Sequence, residues 1–448
     1  MTSEPLSAEV LSAELLSAHL LLGRYARGEL RPSDHVAAVL DRIDAGGPAG
    51  SAYVLLDRAG AMAAARRADA EFRAGRPAGP LSGVPVSVKD LLDVAGLPTG
   101  RGRGGPAPGP APHDSPVVAV LRRAGAVIVG KTRTSEDGWS ASTVGPSGPA
   151  TVNPVCPDRT SGGSSGGAAV AVATGTGPIA IGTDGAGSVR IPAAWCGVVG
   201  FKPTWQRWDY GPRGDRLSHV GSLTASVEDA LLMDALVTSG PLPPDPAPRP
   251  ARRPDLVWPV LSRASHLDAT LRARLAELLD APVPEVRLDT GDAHRALADL
   301  LSAGEYPRLA DGPLWPGHDQ VARWGADVPE SGLRAAEATC RRLTAAVDEA
   351  LAGHDALALP TVAVPAFGRD EEFPAGTAAR DWLAWAEHTF VTNLTGHPAV
   401  SVPLGTGPDG MPAGLQLIGR RDGDRALLSL ARDVRDRWEN RTTRKATP

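Results

Sequence analysis

Six small residues, Gly162–Gly167, have the sequence Gly-Gly-Ser-Ser-Gly-Gly and place two serines in a segment able to turn sharply. Residues 162–166 fit Gly-x-Ser-x-Gly, the pattern that presents the serine nucleophile of α/β-hydrolases on a turn between a strand and a helix. The preceding segment, NPVCPDRTSGG, contains two prolines and two glycines and is not expected to form a strand. The match to this pattern therefore does not identify Ser164 as the nucleophile.

A later serine, Ser188, has the local elements that Ser164 lacks. The apolar segment PIAIG predicts a strand, a glycine-rich turn follows through Gly187, and a helix is predicted from about Val189. Backbone amides at such a helix start stabilise negative charge that develops on a carbonyl oxygen. The local sequence leaves a purely structural turn open, whereas a phosphate loop is not indicated because no lysine follows the glycines.

A serine nucleophile needs a base, which is most often histidine. None of the ten histidines lies in the glycine-rich block, and we expect His113 and His219 to lie in solvated loops. Lys89 differs because it ends the apolar segment VSVK, and burial would lower its pKa and make its neutral amine a competent base. An ion pair with Asp90 or Asp93 is the structural alternative.

The composition indicates a globular protein with a small-molecule partner. The chain has 448 residues, 42% of them hydrophobic, and a net charge of −5, so nothing indicates nucleic-acid binding. Three cysteines without paired spacing predict neither a disulfide framework nor a metal site, and the cytoplasm fits best. No segment is long and apolar enough to suggest a membrane span.

The elements that must position these residues are those of an α/β fold. Helical patterning extends over residues 8–76, a strand is predicted around 84–88, and 115–131 predicts a helix followed by a strand. The proline-rich segment 239–255 predicts a linker or a long surface crossing. Strand-like segments near residues 357–368 and 397–405 are expected to complete the sheet that begins early in the chain.

Several long blocks resemble the amidase signature family. GPLSGVPVSVKDLLDVAGLPTGRG is similar to the family's lysine block, and GGSSGGAAVAVATGTGPIAIGTDGAGSVRIPAAWCGVVGFKPT is similar to its serine-glycine block. VVAVLRRAGAVIVGKT, SHVGSLTASVEDALL, NLTGHPAVSVPLG and AGLQLIGRR also match, whereas residues 257–355 match weakly. The resemblance implies one domain over 1–448, with core motifs in 77–230 and 356–437 and a variable, partly helical region at about 239–355. The implied fold is a mixed, twisted α/β sheet covered by helices on both faces.

The resemblance further implies a Ser-Ser-Lys triad, with Ser188 as nucleophile, Ser164 as bridging serine after a cis peptide bond, and Lys89 as base. Ser165 is expected to hold the turn through its hydroxyl group. The other residues that the resemblance places at the oxyanion or substrate site are Gly163, Asp184, Gly185, Ala186, Gly187 and Arg190. Asp184 is expected to order the oxyanion loop. For Arg190 we favour a structural role over contact with an acidic group of the substrate.

The implied activity is hydrolysis of a small or aryl amide through an acyl-enzyme, without a cofactor or metal. The alternative is an acyl-transferring or amidotransferase subunit that uses the same triad, and a pseudoenzyme is disfavoured because the triad is present. A homodimer is the family-level expectation. Ala186 stands where the family usually has glycine, and the loop TGRGRGGPAP also departs from the family, so the substrate pocket is expected to be unusual. An aromatic pocket built from Trp205, Trp208, Trp315, Trp324, Trp382 and Trp385 is a further hypothesis.

Overall fold

The computed structural model describes residues 17–211, 215–240, 253–377 and 382–446. The strands are β1 (Tyr53–Leu56), β2 (Pro85–Lys89), β3 (Val127–Thr132), β4 (Ile179–Asp184), β5 (Val199–Lys202), β6 (His219–Thr224), β7 (Leu256–Val260), β8 (Glu285–Arg287), β9 (Ala356–Pro360), β10 (Ala399–Thr406) and β11 (Pro412–Ile418). The α-helices are α1 (Ala18–Ala26), α2 (Pro32–Asp44), α3 (Gly47–Ser51), α4 (Arg58–Arg73), α5 (Pro116–Arg123), α6 (Gly166–Ala173), α7 (Arg190–Cys196), α8 (Val227–Val237), α9 (Asp268–Leu279), α10 (Ala293–Glu305), α11 (Pro316–Ala326), α12 (Glu330–Ala350), α13 (Glu387–Thr395) and α14 (Asp424–Ala446). None of these helices combines the length and apolar composition that crossing a membrane requires.

These strands form one mixed sheet in the order β1-β3-β2-β4-β6-β5-β10-β11-β9-β7-β8. β3, β2 and β4 run parallel to one another, and β9, β7 and β8 form a second parallel group. The strands between these groups pair antiparallel. Because β10 pairs with β5, the late strands complete the early sheet, as the sequence predicts.

Alternating side chains direct the sheet into two helical layers. In β4, Ile179 and Ile181 join the core formed with α5, α8, α9 and α14, whereas Ala180 joins the core formed with α2, α4, α6 and α7. In β9, Leu357 and Leu359 instead pack in a cluster with α10, α12 and α13. This period of two is the one that strand geometry imposes. The predicted mixed α/β fold with helices on both faces is therefore confirmed.

Three expectations from the sequence need correction. The region at about 239–355 contains two strands, β7 and β8, that helical patterning concealed, and β1 also went unpredicted. The prediction that His219 lies in a solvated loop is wrong, because it begins the internal strand β6 and is 3% exposed. Most of the predicted linker at 239–255, and residues 8–16 of the N-terminal helical pattern, lie outside the described residues.

Candidate active site

Lys89 ends β2 in a fully buried position beside the carboxyl end of the parallel strand β4. Its Nζ lies 2.7 Å from Ser164 Oγ, 2.9 Å from Ser165 Oγ and 2.8 Å from Thr183 Oγ1. Asp90 pairs with Lys131 at 3.0 Å. The hydrogen-bond partners of Lys89 are thus three hydroxyl groups and, at 3.5 Å, the Thr183 carbonyl oxygen, whereas the structural alternative was an ion pair.

This environment favours a neutral amine. Burial lowers the pKa of Lys89 well below its ordinary value, and the carboxylate of Asp184 opposes that shift only in part. The Ser165 hydroxyl donates to the Thr183 carbonyl oxygen at 3.1 Å, so Ser165 Oγ must accept a hydrogen from Lys89. If Thr183 Oγ1 accepts the second hydrogen of the neutral amine, the nitrogen lone pair faces Ser164 Oγ.

Ser164 and Ser165 are fixed by the turn that leads into α6. The Gly163–Ser164 peptide bond is cis, as the resemblance implies, and both serines are at most 1% exposed. The Ser165 hydroxyl also accepts a hydrogen bond from the Thr183 amide at 3.3 Å, which agrees with a structural role in the turn. Gly163 packs closely on the backbone of Ser142, which leaves no space for a side chain.

Ser188 lies in the turn between β4 and α7, where the sequence places it. Its carbonyl oxygen accepts a hydrogen bond from the Ser165 amide at 3.1 Å, so the two serine-bearing turns are joined directly. Ser188 and Ser164 line one cavity. Within the described part of the chain, the Ser188 hydroxyl makes no hydrogen bond and is available to a ligand.

Asp184 organises this turn from inside. Its carboxylate accepts hydrogen bonds from the Gly187 amide at 2.7 Å and from the Val189 amide at 3.1 Å. Burial opposes ionisation, but the neighbouring Arg190 guanidinium holds the pKa of Asp184 well below its usual range. The ionised carboxylate therefore binds the turn amides at all moderate pH values.

Arg190 is a buried anchor and does not line the cavity. Its side chain is 0% exposed and forms a two-pronged ion pair with Asp184, with contacts of 2.8 and 2.9 Å. It also donates to Gln416 at 2.8 Å and, on α13, to Thr392 and Asn393, both at 2.7 Å. These contacts agree with the structural role favoured from the sequence.

The predicted oxyanion residues differ in availability. Gly185 and Ala186 line the cavity, and no acceptor among the described residues binds their amides or that of Ser188. The Gly187 amide is committed to Asp184, so it is a poor oxyanion donor. Gly187 has a φ of +123°, and a side chain there would collide with Thr389. Ala186, by contrast, does not have a positive φ, which explains why this position accepts alanine.

The cavity beside Ser188 is small. About 60 Å³ is open to the centre of a water molecule, which corresponds to on the order of five waters. Its walls combine apolar and polar side chains with three carboxylates: Leu91, Asp137, Trp139, Ser140, Ala141, Thr183, Ile191, Tyr210, Asp215, Ser218, Leu301, Glu305, Trp382 and Leu383. The free volume fits a small substrate, and a larger one requires the walls to move.

Several of these wall residues were not predicted. Thr183 is a direct partner of Lys89, and it stands one residue before Asp184 in the block already singled out. Trp139 lies in the loop that follows β3, a parallel neighbour of β2. Loops at the carboxyl ends of parallel strands often form binding sites, so this position could have indicated Trp139 as a wall residue. Glu305 and Tyr210 reach the cavity through long-range packing, which local sequence does not reveal.

The tryptophan hypothesis holds only in part. Of the six tryptophans named from the sequence, Trp382 lines the cavity. Trp208 instead packs edge-on against Phe201, and Trp385 stacks on Trp195. Trp205 is 40% exposed and lies outside the cavity lining. The aromatic wall therefore consists of Trp382 with two residues not predicted, Trp139 and Tyr210.

The chain is similar to known proteins over most of its length. A family model described as Amidase matches residues 34–300 and 320–428. The chain is 35% identical over 437 residues to the putative amidase AmiA2 of Mycobacterium tuberculosis, covering 88% of this chain and 87% of that protein. It is 32% identical over 460 residues to a glutamyl-tRNA(Gln) amidotransferase subunit of Chloroflexus aurantiacus, covering 90% of this chain and 92% of that protein. A solved amidase structure superposes with a TM-score of 0.82 at 30% identity, covering 94% of this chain and all of that one. The chain belongs to the amidase signature family, whose members are enzymes that act on carbon–nitrogen bonds.

Proposed function

We propose that this protein hydrolyses the amide bond of a small molecule through an acyl-enzyme on Ser188, with Ser164 and Lys89 as the proton relay. The observation that carries the proposal is the 2.7 Å contact between Lys89 Nζ and Ser164 Oγ, behind the cavity that Ser164 and Ser188 line. A buried lysine with a lowered pKa and a hydroxyl partner is poised to accept a proton at neutral pH.

In the acylation step, Ser188 Oγ attacks the carbonyl carbon and its proton passes to Ser164 Oγ. The Ser164 proton passes at the same time to Lys89, which becomes an ammonium group. The carbonyl oxygen becomes an oxyanion, and the amides of Gly185, Ala186 and Ser188 are the donors available to it. Gly187 fixes the turn instead of donating, because its amide binds Asp184.

The same relay then runs in reverse. The Lys89 proton returns through Ser164 to the leaving nitrogen, the C–N bond breaks, and the amine departs, leaving an ester on Ser188. A water molecule repeats the cycle of proton transfer, attacks the ester carbonyl, and releases the carboxylic acid with Ser188 regenerated. The three chain residues end each turnover in their starting protonation states.

A second candidate function is supported by one comparison. Similarity to the amidotransferase chain of Chloroflexus aurantiacus extends over 90% of this chain at an identity close to that with AmiA2. Under this function the protein would use the same acyl-enzyme but deliver ammonia to a partner. The two functions differ in their dependence on glutamine and on other chains.

The test is ammonia release from a panel of small amides by the purified chain alone, with Ser188→Ala as the matched inactive variant. Hydrolysis of non-glutamine amides by the wild type, absent in the variant, is the expected result. Release from glutamine alone, or only after a partner is added, would favour the amidotransferase function. Turnover that persists in Ser188→Ala would refute both, since both use Ser188.

For partners and location, we propose a small-molecule amide as the ligand and the cytoplasm as the compartment. Cys156, Cys196 and Cys340 are all free thiols in the structure, a state that a reducing compartment maintains. Fractionation of cells that express the tagged full-length chain would test the compartment directly.

A further inference from the structure

The charge of the cavity walls carries an inference about the substrate. Asp137, Asp215 and Glu305 line the cavity, and no lysine, arginine or histidine side chain is part of that lining among the described residues. The walls therefore carry carboxylate acceptors and, within the described residues, offer no cationic partner for a carboxylate. An anionic group on the substrate would lose its water without gaining a cationic contact.

Two of the three carboxylates are already committed. Asp137 is held by Arg101 at 2.5 Å and by Arg103 at 2.7 Å, and its own side chain is 0% exposed. Asp215 accepts hydrogen bonds from the amides of Leu217 and Ser218, both at 2.7 Å, so it closes its own turn. Because protein groups already occupy both carboxylates, neither Asp137 nor Asp215 is well placed to bind a ligand.

Glu305 has an oxygen to spare. Its Oε2 contacts His318 Nε2 at 2.9 Å, and Arg308 lies further away at 3.9 Å from the same oxygen. Oε1 has no hydrogen-bond partner among the described residues, and the side chain is only 17% exposed. This leaves an open acceptor on the cavity wall in a largely dry setting, where a charge-assisted hydrogen bond is strong.

The orientation of Glu305 is fixed from behind. The His318 ring bridges Glu305 and Glu136, with Nδ1 at 2.8 Å from Glu136, and its side chain is 0% exposed. Trp139 stacks on this ring with a centroid distance of 5.7 Å and an interplanar angle of 2°. Glu305 is therefore preorganised, and binding a ligand requires little reordering.

Aromatic rings complete the wall. Trp382 packs against Trp139 at a centroid distance of 5.2 Å, and both rings line the cavity beside Glu305. Aromatic rings next to a carboxylate suit an alkylammonium group, which gains a cation–π contact and an ion pair together. An aromatic wall beside a carboxylate with one open oxygen is thus a second reason to expect a cation. His318, whose pKa is raised to about 9, shares its positive charge between Glu305 and Glu136, so these three groups together keep a net negative charge.

We propose that Glu305 determines specificity by binding a protonated amine on the substrate, remote from the scissile amide, so that the enzyme prefers small aminoalkyl amides. This inference rests on the proposed function and deepens it by naming the substrate class. Glu305 makes no contact with the Lys89 relay, so its role is in choosing the substrate.

The experiment uses three amides of matched length: 4-aminobutanamide, which is cationic, pentanamide, which is neutral, and 5-amino-5-oxopentanoate, which is anionic. Turnover is measured as ammonia release by the wild type and by Glu305→Gln. Binding is measured separately in Ser188→Ala and in Ser188→Ala with Glu305→Gln, through the fluorescence of the tryptophans. Glu330→Gln, a change on the exposed surface of α12, is the matched control, and the melting temperature of each variant is recorded.

We expect 4-aminobutanamide to bind tightest and the anionic amide weakest. Glu305→Gln should lower the ratio of cationic to neutral affinity by about tenfold to a hundredfold, the usual value of a charged hydrogen bond. The inference is overturned if no preference for the cation exists, if the ratio is unchanged, if all three amides weaken equally, or if 4-aminobutanamide does not bind. A cation preference in binding without turnover of any amide would instead contradict the proposed function.

Discussion

Replacing Asp184 with asparagine tests how the oxyanion turn is held. The substitution keeps the shape of the side chain but turns one acceptor oxygen into an NH₂ group. Each oxygen of Asp184 accepts hydrogen bonds from a backbone amide and from an Arg190 nitrogen. In either orientation of the asparagine side chain, its NH₂ group would therefore face N–H donors instead of acceptors. Arg190 also loses its only carboxylate partner in the described residues while its side chain stays 0% exposed.

The substitution breaks a buried ion pair and should therefore lower the free energy of unfolding by about 3–5 kcal/mol. An unfolding entropy of about 2.1 cal/mol/K per residue over 448 residues converts each kcal/mol into about 1 °C. The melting temperature should therefore fall by roughly 3–5 °C. Activity should fall by about 10²–10³, because the turn that Asp184 holds through the Gly187 and Val189 amides also carries the unbound amides expected to stabilise the oxyanion.

The assay is thermal unfolding at one protein concentration and one scan rate, since large chains often unfold irreversibly. A second variant, Asp184→Asn with Arg190→Met, removes the uncompensated charge and should cost less than the sum of the two single changes. Glu330→Gln, which breaks an exposed pair with Arg334, is the control and should not change the melting temperature measurably. A loss below about 1 kcal/mol, or activity within about threefold of wild type, would refute this account of the turn.

Three further predictions concern the relay and its surroundings. Because burial lowers the pKa of Lys89, kcat/KM should rise with pH and level off at a pH below the ordinary pKa of lysine. This rise should be absent in Lys89→Met, and a flat pH profile of the wild type would contradict a titrating lysine. Ser164→Ala should lower kcat by about 10²–10⁴, which is at least tenfold more than Ser165→Ala, because Ser164 is the serine placed to pass a proton onward. Equal losses of kcat in the two variants would contradict the relay. Burial lowers the pKa of His318, but hydrogen bonds to two glutamates outweigh this and raise it to about 9. Protonated His318 should contribute about 3 kcal/mol to the free energy of unfolding, in full below pH 6.5, and this contribution should be lost as the pH rises through 9. Identical curves of stability against pH for wild type and His318→Gln would contradict this.

Local patterns in the sequence predicted the parts of the site that depend on short segments. Lys89 ends an apolar strand, and Ser188 follows a strand and a glycine-rich turn, so each could be placed from its neighbours. The cis bond before Ser164 came from the resemblance, since no local pattern dictates it. These residues come together because β2 and β4 are adjacent parallel strands whose carboxyl ends share one edge.

The remaining features depend on packing between distant segments. Glu305 and Trp382 reach the cavity from helices and loops far along the chain from Ser188, and no spacing rule connects them. His219 was predicted to be solvated because loops favour polar residues, yet pairing of β6 with β4 and β5 buries it. Burial lowers the pKa of His219 well below its ordinary value, so it remains neutral there.

The two short parallel strands near the end of the sheet were hidden for a related reason. β7 has five residues and β8 only three, and both lie among segments whose periodicity is helical. A strand this short owes its existence to the partner it extends, here β9, more than to its own propensity. Recognising them required knowledge of the complete sheet.

Every step of the proposed mechanism depends on activation of Ser188 by a relay through Ser164 to Lys89. Its most direct test is intact-protein mass spectrometry after treatment with a fluorophosphonate, performed on wild type, Ser188→Ala and Lys89→Met. We expect one adduct on the wild type, none on Ser188→Ala, and much slower labelling of Lys89→Met. An unlabelled wild type, or an adduct that persists in Ser188→Ala, would contradict it.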